Sequence, residues 1–286
     1  STPNTQPTTP SPTTPDPDTS VTLPPVPKKV NVKFVFNNGD EDYVIEALSI
    51  GMQGLGFSDH IMLPDFSEPT IRGEYFCFQN YLDSIDDLKK SYDDRIKIYK
   101  GLEAEGFAYY FPYYKELIST GTVDYLILGN HSMMNNKKKI IAHFGQPTAS
   151  SIHAYKDTAI AAMKTMCFSC FAHPDYFMSS LPVFDRDVMK VSAELIEASI
   201  IYDIPLEINI GGIRNGKKQI GDKYRYIYPN SEFFLLAKKM GAKFILGLDA
   251  HGPSQINDEQ ANCTAVRFVH DLGLQLIQSL DFKKGS

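Results

Sequence analysis

The chain has 286 residues, 28 basic and 34 acidic side chains, a net charge of -6 and 43% hydrophobic residues. That length allows one large α/β domain, and no stretch approaches the roughly 18 apolar residues of a membrane span. The acidic balance gives no general electrostatic reason to bind nucleic acid or an anionic membrane surface, so an anionic substrate must be met by local charge.

Residues 1–29 hold nine of the 18 prolines and eight threonines, with no apolar periodicity and no aromatic residue. Such sequence cannot build a core and reads as a disordered or extended Pro/Thr-rich linker or tail. It lacks the basic start and apolar run of a signal peptide. Residues 30–286 form the second unit, which carries the apolar periodicity needed for a core.

From Val30 onward, short β-branched or aromatic runs alternate with stretches of helical periodicity, the pattern of βα units around a parallel sheet. Seven strands are expected, at Asn31 to Phe36, Gly54 to Ser58, Ile96 to Leu102, Asp124 to Gly129, Met166 to Ala172, Ile204 to Ile210 and Lys243 to Leu248. Helices are expected at Asp42 to Ile50, Phe78 to Ser91, Tyr109 to Thr120, Ile152 to Met163, Asp187 to Tyr202, Ser231 to Met240 and Asp258 to Leu280. Asn230 and Ser231 suit the N-terminus of the sixth helix, and Gly241 suits its C-terminal side. Long connections at Leu63 to Asn80 and Ser132 to Ser151 are expected to overhang the strand ends.

Cys77, Cys167, Cys170 and Cys263 are too few for a disulfide scaffold in a chain this long and fit a reducing, cytoplasmic compartment. The tail, by contrast, resembles spacers of surface or secreted modular proteins, which leaves a surface or fusion context open. Cys167 and Cys170 form a CxxC pair, but within the strand MCFSCFAH residues three apart point to opposite faces, so core thiols are expected.

Six of the seven strands run into a residue able to bind a metal or a polar substrate. They are Asp59 and His60 in GFSDH, Glu103 in KGLEAE, His131 in ILGNH, His173 in FAHPD, Asn209 in LEIN, and Asp249 with His251 in GLDAH. In a barrel these positions converge on one rim, where active sites are built. Imidazoles mixed with carboxylates suit Zn, Mn or Fe, and metals sharing such a site support hydrolysis. No Rossmann glycine fingerprint or Walker loop is present. A single histidine in an α/β protein is more often a packing residue, and His143, His153 and His270 keep that reading. Asp59 is expected to orient a ligand or cap a loop, Glu105 to be a supporting or solvent-facing group, and Asp175 to stabilise a turn.

Taken in order, GFSDH, GLEAE, LGNHS, AHPD, LEIN and GLDAH resemble the polymerase and histidinol phosphatase (PHP) family, most closely its histidinol-phosphatase branch. The resemblance spans roughly Asp40 to Pro253. It implies a distorted, TIM-like seven-stranded β/α barrel with two or three divalent ions. It also implies hydrolysis of a small phosphorylated metabolite, histidinol phosphate favoured, by a metal-bridging hydroxide, a step of histidine biosynthesis. Metal roles fall on His60, Glu103, His131, His173, Asp249 and His251, with Asp249 and His251 also catalytic. Asn209 and Arg214 are the substrate-binding candidates. Arg214 in NIGGIRNGKK is chosen because a guanidinium can grip two phosphate oxygens, with Arg72 and Lys217 as weaker alternatives.

The first motif of that family is an HxH at the end of the first strand, and here the segment reads VNVKFVFNNGDEDY. Asn37, Asn38 or Asp40 could offer oxygens in its place, and fewer ions are expected if they do not. The alternative function is a catalytically impaired PHP-like binding or structural module.

Overall fold

The computed structural model describes residues 40–68, 71–135, 139–143 and 148–284. The tail, the expected first strand at Asn31 to Phe36, and Asn37 and Asn38 lie outside the described residues.

The described chain runs α1 (Asp40–Ser49), β1 (Gly54–His60), α2 (Phe78–Ser91), β2 (Lys97–Ala104), α3 (Phe111–Ser119), β3 (Tyr125–Leu128), β4 (Ser132–Met134), β5 (Ile140–Ala142), α4 (Ala149–Met163), β6 (Phe168–Phe171), α5 (Arg186–Ile201), β7 (Leu206–Asn209), α6 (Ile210–Arg214), β8 (Lys217–Ile220), β9 (Lys223–Tyr226), α7 (Ser231–Met240), β10 (Phe244–Gly247) and α8 (Glu259–Leu272). Six strands pair in the order β1-β2-β3-β6-β7-β10, parallel throughout, as a curled half-barrel with helices packed outside it. These six correspond to the second through seventh expected strands.

Local chemistry sets the helix ends. Thr148 and Ser151 form a reciprocal capping box at α4. Asn230 accepts from the N–H groups of Glu232 and Phe233 to open α7, as expected. The last helix stops at Leu272, well short of Leu280, because Gly273 takes a left-handed φ of 60° that ends it.

The chain beyond it returns under the sheet, with Leu276 bridging Phe244 and Phe282 stacking on Tyr125 at 5.0 Å. Lys283 donates its backbone N–H to Ser169 Oγ and its ammonium to the carbonyls of Tyr202 and Asp203. Two short antiparallel pairs fall outside the expected strands and helices, β4-β5 in the Ser132 to Ser151 connection and β8-β9 between α6 and α7.

Side chains alternate along each strand, so the sheet has a helix face and an inner face. Leu55 and Phe57 join the large core against the helices. Tyr125, Ile127, Cys170, Ala172 and Ile245 form a separate inner cluster with Leu280. The Tyr125 ring fills space that only glycine leaves open, since a Cβ on Gly56 or Gly101 would collide with it. Cys167 lies in the large core and Cys170 in the inner cluster, on opposite faces as the spacing predicts, and all four cysteines are free. Among the described residues no helix is long and apolar enough to cross a membrane.

Candidate metal centre

On the inner face, the C-terminal strand ends carry polar residues. His60 ends β1, Glu103 lies in β2 directly beside it in register, and His131 and His173 follow β3 and β6. The Glu103 carboxylate, 1% exposed, is the hub. Its Oε2 lies 3.3 Å from His60 Nδ1, while its Oε1 lies 3.6 Å from His131 Nε2 and 3.5 Å from His173 Nε2. The room for it comes from β3, because a Cβ on Gly129 would run into the carboxylate. The three imidazoles are packed together, with ring centroids 5.2 Å apart for His60 and His131 and 4.7 Å apart for His131 and His173. Donor atoms come within 4.8 Å of one another in two groups, Glu103 with His131 and His173, and His60 with Glu105 and His131.

Glu105 is a buried supporting group rather than a solvent-facing one. Two residues beyond Glu103, it returns to the same face. Its Oε1 lies 2.9 Å from His131 Nδ1 and 3.7 Å from an Arg72 guanidinium nitrogen, and its Oε2 accepts from the Ser132 N–H. Burial alone would push this carboxyl up, but His131 and Arg72 outweigh it and hold it at about 2. A carboxylate behind an imidazole fixes the ring's orientation and tautomer. Arg72 itself is 2% exposed, bonded through Nε and Nη2 to Glu68 and through Nη1 to the Ile61 carbonyl.

A second buried chain runs along β6, β7 and β10. Glu207 Oε2 accepts from the His173 N–H at 3.0 Å and from Asn209 Nδ2 at 2.9 Å, and Asn209 Nδ2 also donates to Asp249 Oδ2 at 3.1 Å. Asn209 Oδ1 accepts from the Gly212 N–H and caps α6, which ends β7 at that residue. Both amide hydrogens of Asn209 are therefore engaged in holding Asp249 and Glu207. Asn130, His173 and Asp249 each sit two residues past a strand with φ of 52°, 31° and 46°. Side chains rarely adopt such a backbone, which costs about 1–3 kcal/mol per residue and is concentrated at functional sites.

The remaining sequence candidates fall elsewhere. His251 is half-exposed at the rim, its Nδ1 3.1 Å from the Asp249 carbonyl oxygen, outside both donor groups. Arg214 donates to the carbonyls of Leu248, Asp249 and Gln255 and pairs with Asp258. That guanidinium is spent on the backbone of the turn carrying Asp249 rather than presented to a phosphate. Lys217 lies over the Tyr226 ring on the β8-β9 hairpin.

Asp59 points to the helix face, where burial, with Asp40 adding to it, pushes its carboxyl well up. Asp40 accepts from Ser84 Oγ in α2, so its carboxylate is turned to that helix. Asp175 accepts the Asn230 N–H and does stabilise a turn, its carboxyl raised by burial to about 7.

Sequence reading missed Glu207, although its two-residue offset from Asn209 places it on the same inner face. The donor chemistry fits divalent cations. Imidazoles surround a buried carboxylate, and the four buried acids Glu103, Glu105, Glu207 and Asp249 line one face, an arrangement that calls for positive charge.

The family model described as "PHP domain" matches residues 39–210. A curated protein of Schizosaccharomyces pombe named "Probable histidinol-phosphatase" is 24% identical over 242 residues, covering 76% of each chain. One of the same name from Deinococcus radiodurans is 22% identical over 241 residues, covering 81% of this chain and 86% of its own. Among solved structures, histidinol phosphate phosphatase of Lactococcus lactis, complexed with zinc, L-histidinol and phosphate, superposes with a TM-score of 0.64 at 19% identity. It covers 89% of this chain and 99% of its own, and at that identity the likeness shows the fold.

Proposed function

The chain belongs to the PHP domain family, and from that premise we propose that it is a metal-dependent phosphatase acting on a small phosphate monoester, histidinol phosphate being the favoured substrate. One observation carries the reading: the Glu103 carboxylate turns one oxygen to His60 and the other to His131 and His173. Glu103 with His131 and His173, and His60 with Glu105 and His131, are the groups that would hold divalent ions here. Divalent ions held there supply Lewis acidity toward phosphate oxygens and an activated water for in-line displacement. The names of the two curated relatives support the substrate choice.

The chain's own groups set the geometry. Glu105 fixes the His131 ring from behind, and Glu207 and Asn209 hold the His173 backbone and Asp249 in place. Asp249 and His251 keep the catalytic assignment and complete the ligand set. The Asp249 carbonyl can accept from His251 only if Nδ1 carries the hydrogen, which leaves Nε2 to take an ion or a proton. Arg214 serves as the brace of that turn.

The test is turnover of histidinol phosphate and of a chromogenic aryl phosphate by purified protein supplied with Mn, Zn or Fe, together with elemental analysis. Metal-stimulated hydrolysis, with histidinol phosphate preferred and at least two ions per chain, is the expected result. No turnover of either ester with zero or one ion bound would move the assignment to a binding or structural module.

A further inference from the structure

The two flanks of the metal cluster differ. On the Glu105 side, Arg72 is buried, bonded to Glu68 and laid over the Phe107 ring at 5.8 Å, so that side is closed by protein. On the His173 side stand two half-buried aromatic rings, Tyr176 and Tyr228. The Tyr176 ring lies 5.3 Å from both His131 and His173, and the Tyr228 ring lies 5.4 Å from His173 and 5.8 Å from Tyr176.

Their positions are imposed by the fold. Tyr176 opens a single 3-10 turn directly after the His173 loop, its N–H bonded to the His173 carbonyl at 2.9 Å. Tyr228 is seated on α6 at Gly212, where any Cβ would run into the ring and carbonyl of Tyr228. Asp175, two residues past His173, accepts the N–H of Asn230, two residues past Tyr228, and Asn230 in turn caps α7. The turn that delivers an imidazole to the cluster therefore also anchors the tyrosine beside it. Rings held this rigidly offer π faces at little further entropic cost, and planar groups stack on them in offset or edge-on contact.

We propose that Tyr176 and Tyr228 form the wall against which the planar ring of the substrate's alcohol packs while its phosphate sits at the metal cluster, making this site selective for phosphate esters of ring-bearing alcohols. This rests on the phosphatase reading above and assigns its specificity-determining residues.

The experiment measures kcat and KM of the metal-loaded protein for histidinol phosphate and for glycerol 2-phosphate, an ester of a small aliphatic alcohol. Tyr228→Leu and Tyr176→Leu are compared with the ring-retaining Tyr228→Phe and Tyr176→Phe. Each leucine variant is expected to lower the histidinol phosphate to glycerol 2-phosphate ratio of kcat/KM about fivefold to tenfold, chiefly through KM, while the phenylalanine variants keep the ratio. Folding and metal content of every variant are checked by thermal melting and elemental analysis.

A ratio unchanged in the leucine variants, or lowered equally by the phenylalanine ones, overturns the wall. Wild-type protein inactive on both esters refutes the phosphatase reading instead. Calorimetric titration with L-histidinol alone then decides the wall. Binding weakened by leucine and kept by phenylalanine upholds it, and binding that is absent or indifferent to these changes overturns it.

Discussion

The two ends of the sheet's inner face are built from the same strands to opposite purposes. At the N-terminal end Tyr125, Ile127, Cys170 and Ile245 make an apolar cluster closed by Leu280 and Phe282. At the other end, β2 continues from Gly101 to Glu103, β7 from Glu207 to Asn209, and β10 from Ile245 through Gly247 to Asp249. One end thus accumulates buried carboxylates, while the other supplies apolar burial that offsets their cost. Stability and chemistry are separated along the strand axis, so substitutions at the two ends are expected to fail differently.

The largest effect is expected at the hub. Glu103→Gln leaves the shape but removes the charge that two groups of imidazoles share. Turnover should fall at least about a thousandfold, and bound metal by at least one ion per chain, while the metal-free protein melts no lower than wild type. Elemental analysis and a melting curve in chelator check both halves, and a metal-free protein that unfolds early would erase the proposed separation. Glu105→Gln acts one step further out, through His131. A loss of about tenfold to a hundredfold in metal affinity is expected, read by chelator competition, with kcat at saturating metal less affected.

Much of this was legible in the sequence, and the reasons are specific. The six strands of the parallel sheet announce themselves as apolar runs, and His60, Glu103, His131 and His173 stand where those runs end, which is why their convergence could be read from order alone. The period of two extends to Glu207 and would have found it, had Asn209 been read as one member of an inward pair.

Other features could not be read locally. Arg214 bonds carbonyls at Leu248, Asp249 and Gln255, more than thirty residues away in the chain, so its role as a brace follows from packing that no spacing encodes. The same holds for Tyr228, brought to His173 by the Gly212 seat. The segment after Gly273 has enough apolar residues to look helical, but it runs as a non-helical strap in which Leu274 and Leu276 pack on the large core and Ile277, Leu280 and Phe282 on the inner cluster.

At the opposite end, Phe282→Ala removes a half-buried ring that stacks on Tyr125 and meets Tyr99 edge-on. A loss of about 2 kcal/mol in denaturant unfolding is expected, below the range for fully buried aromatics, with metal stoichiometry retained. Lost metal together with lost stability would mean that the two ends are coupled.

The smallest effect separates the two ends by pH. His143, which follows β5 and bonds through its backbone N–H to the His131 carbonyl, is buried, and burial lowers its imidazole from 6.5 to about 4. The unfolded chain therefore binds a proton between pH 6.5 and 4 that the folded chain refuses. Stability is complete above pH 6.5 and falls as the pH drops through that window, by about 1 kcal/mol between pH 7 and 5.5. His143→Leu should flatten that slope in metal-free protein, whereas Phe282→Ala should lower the whole curve without changing its slope. Parallel curves for wild type and His143→Leu across pH 7 to 5 would show that the acid sensitivity of the polar end resides in other groups.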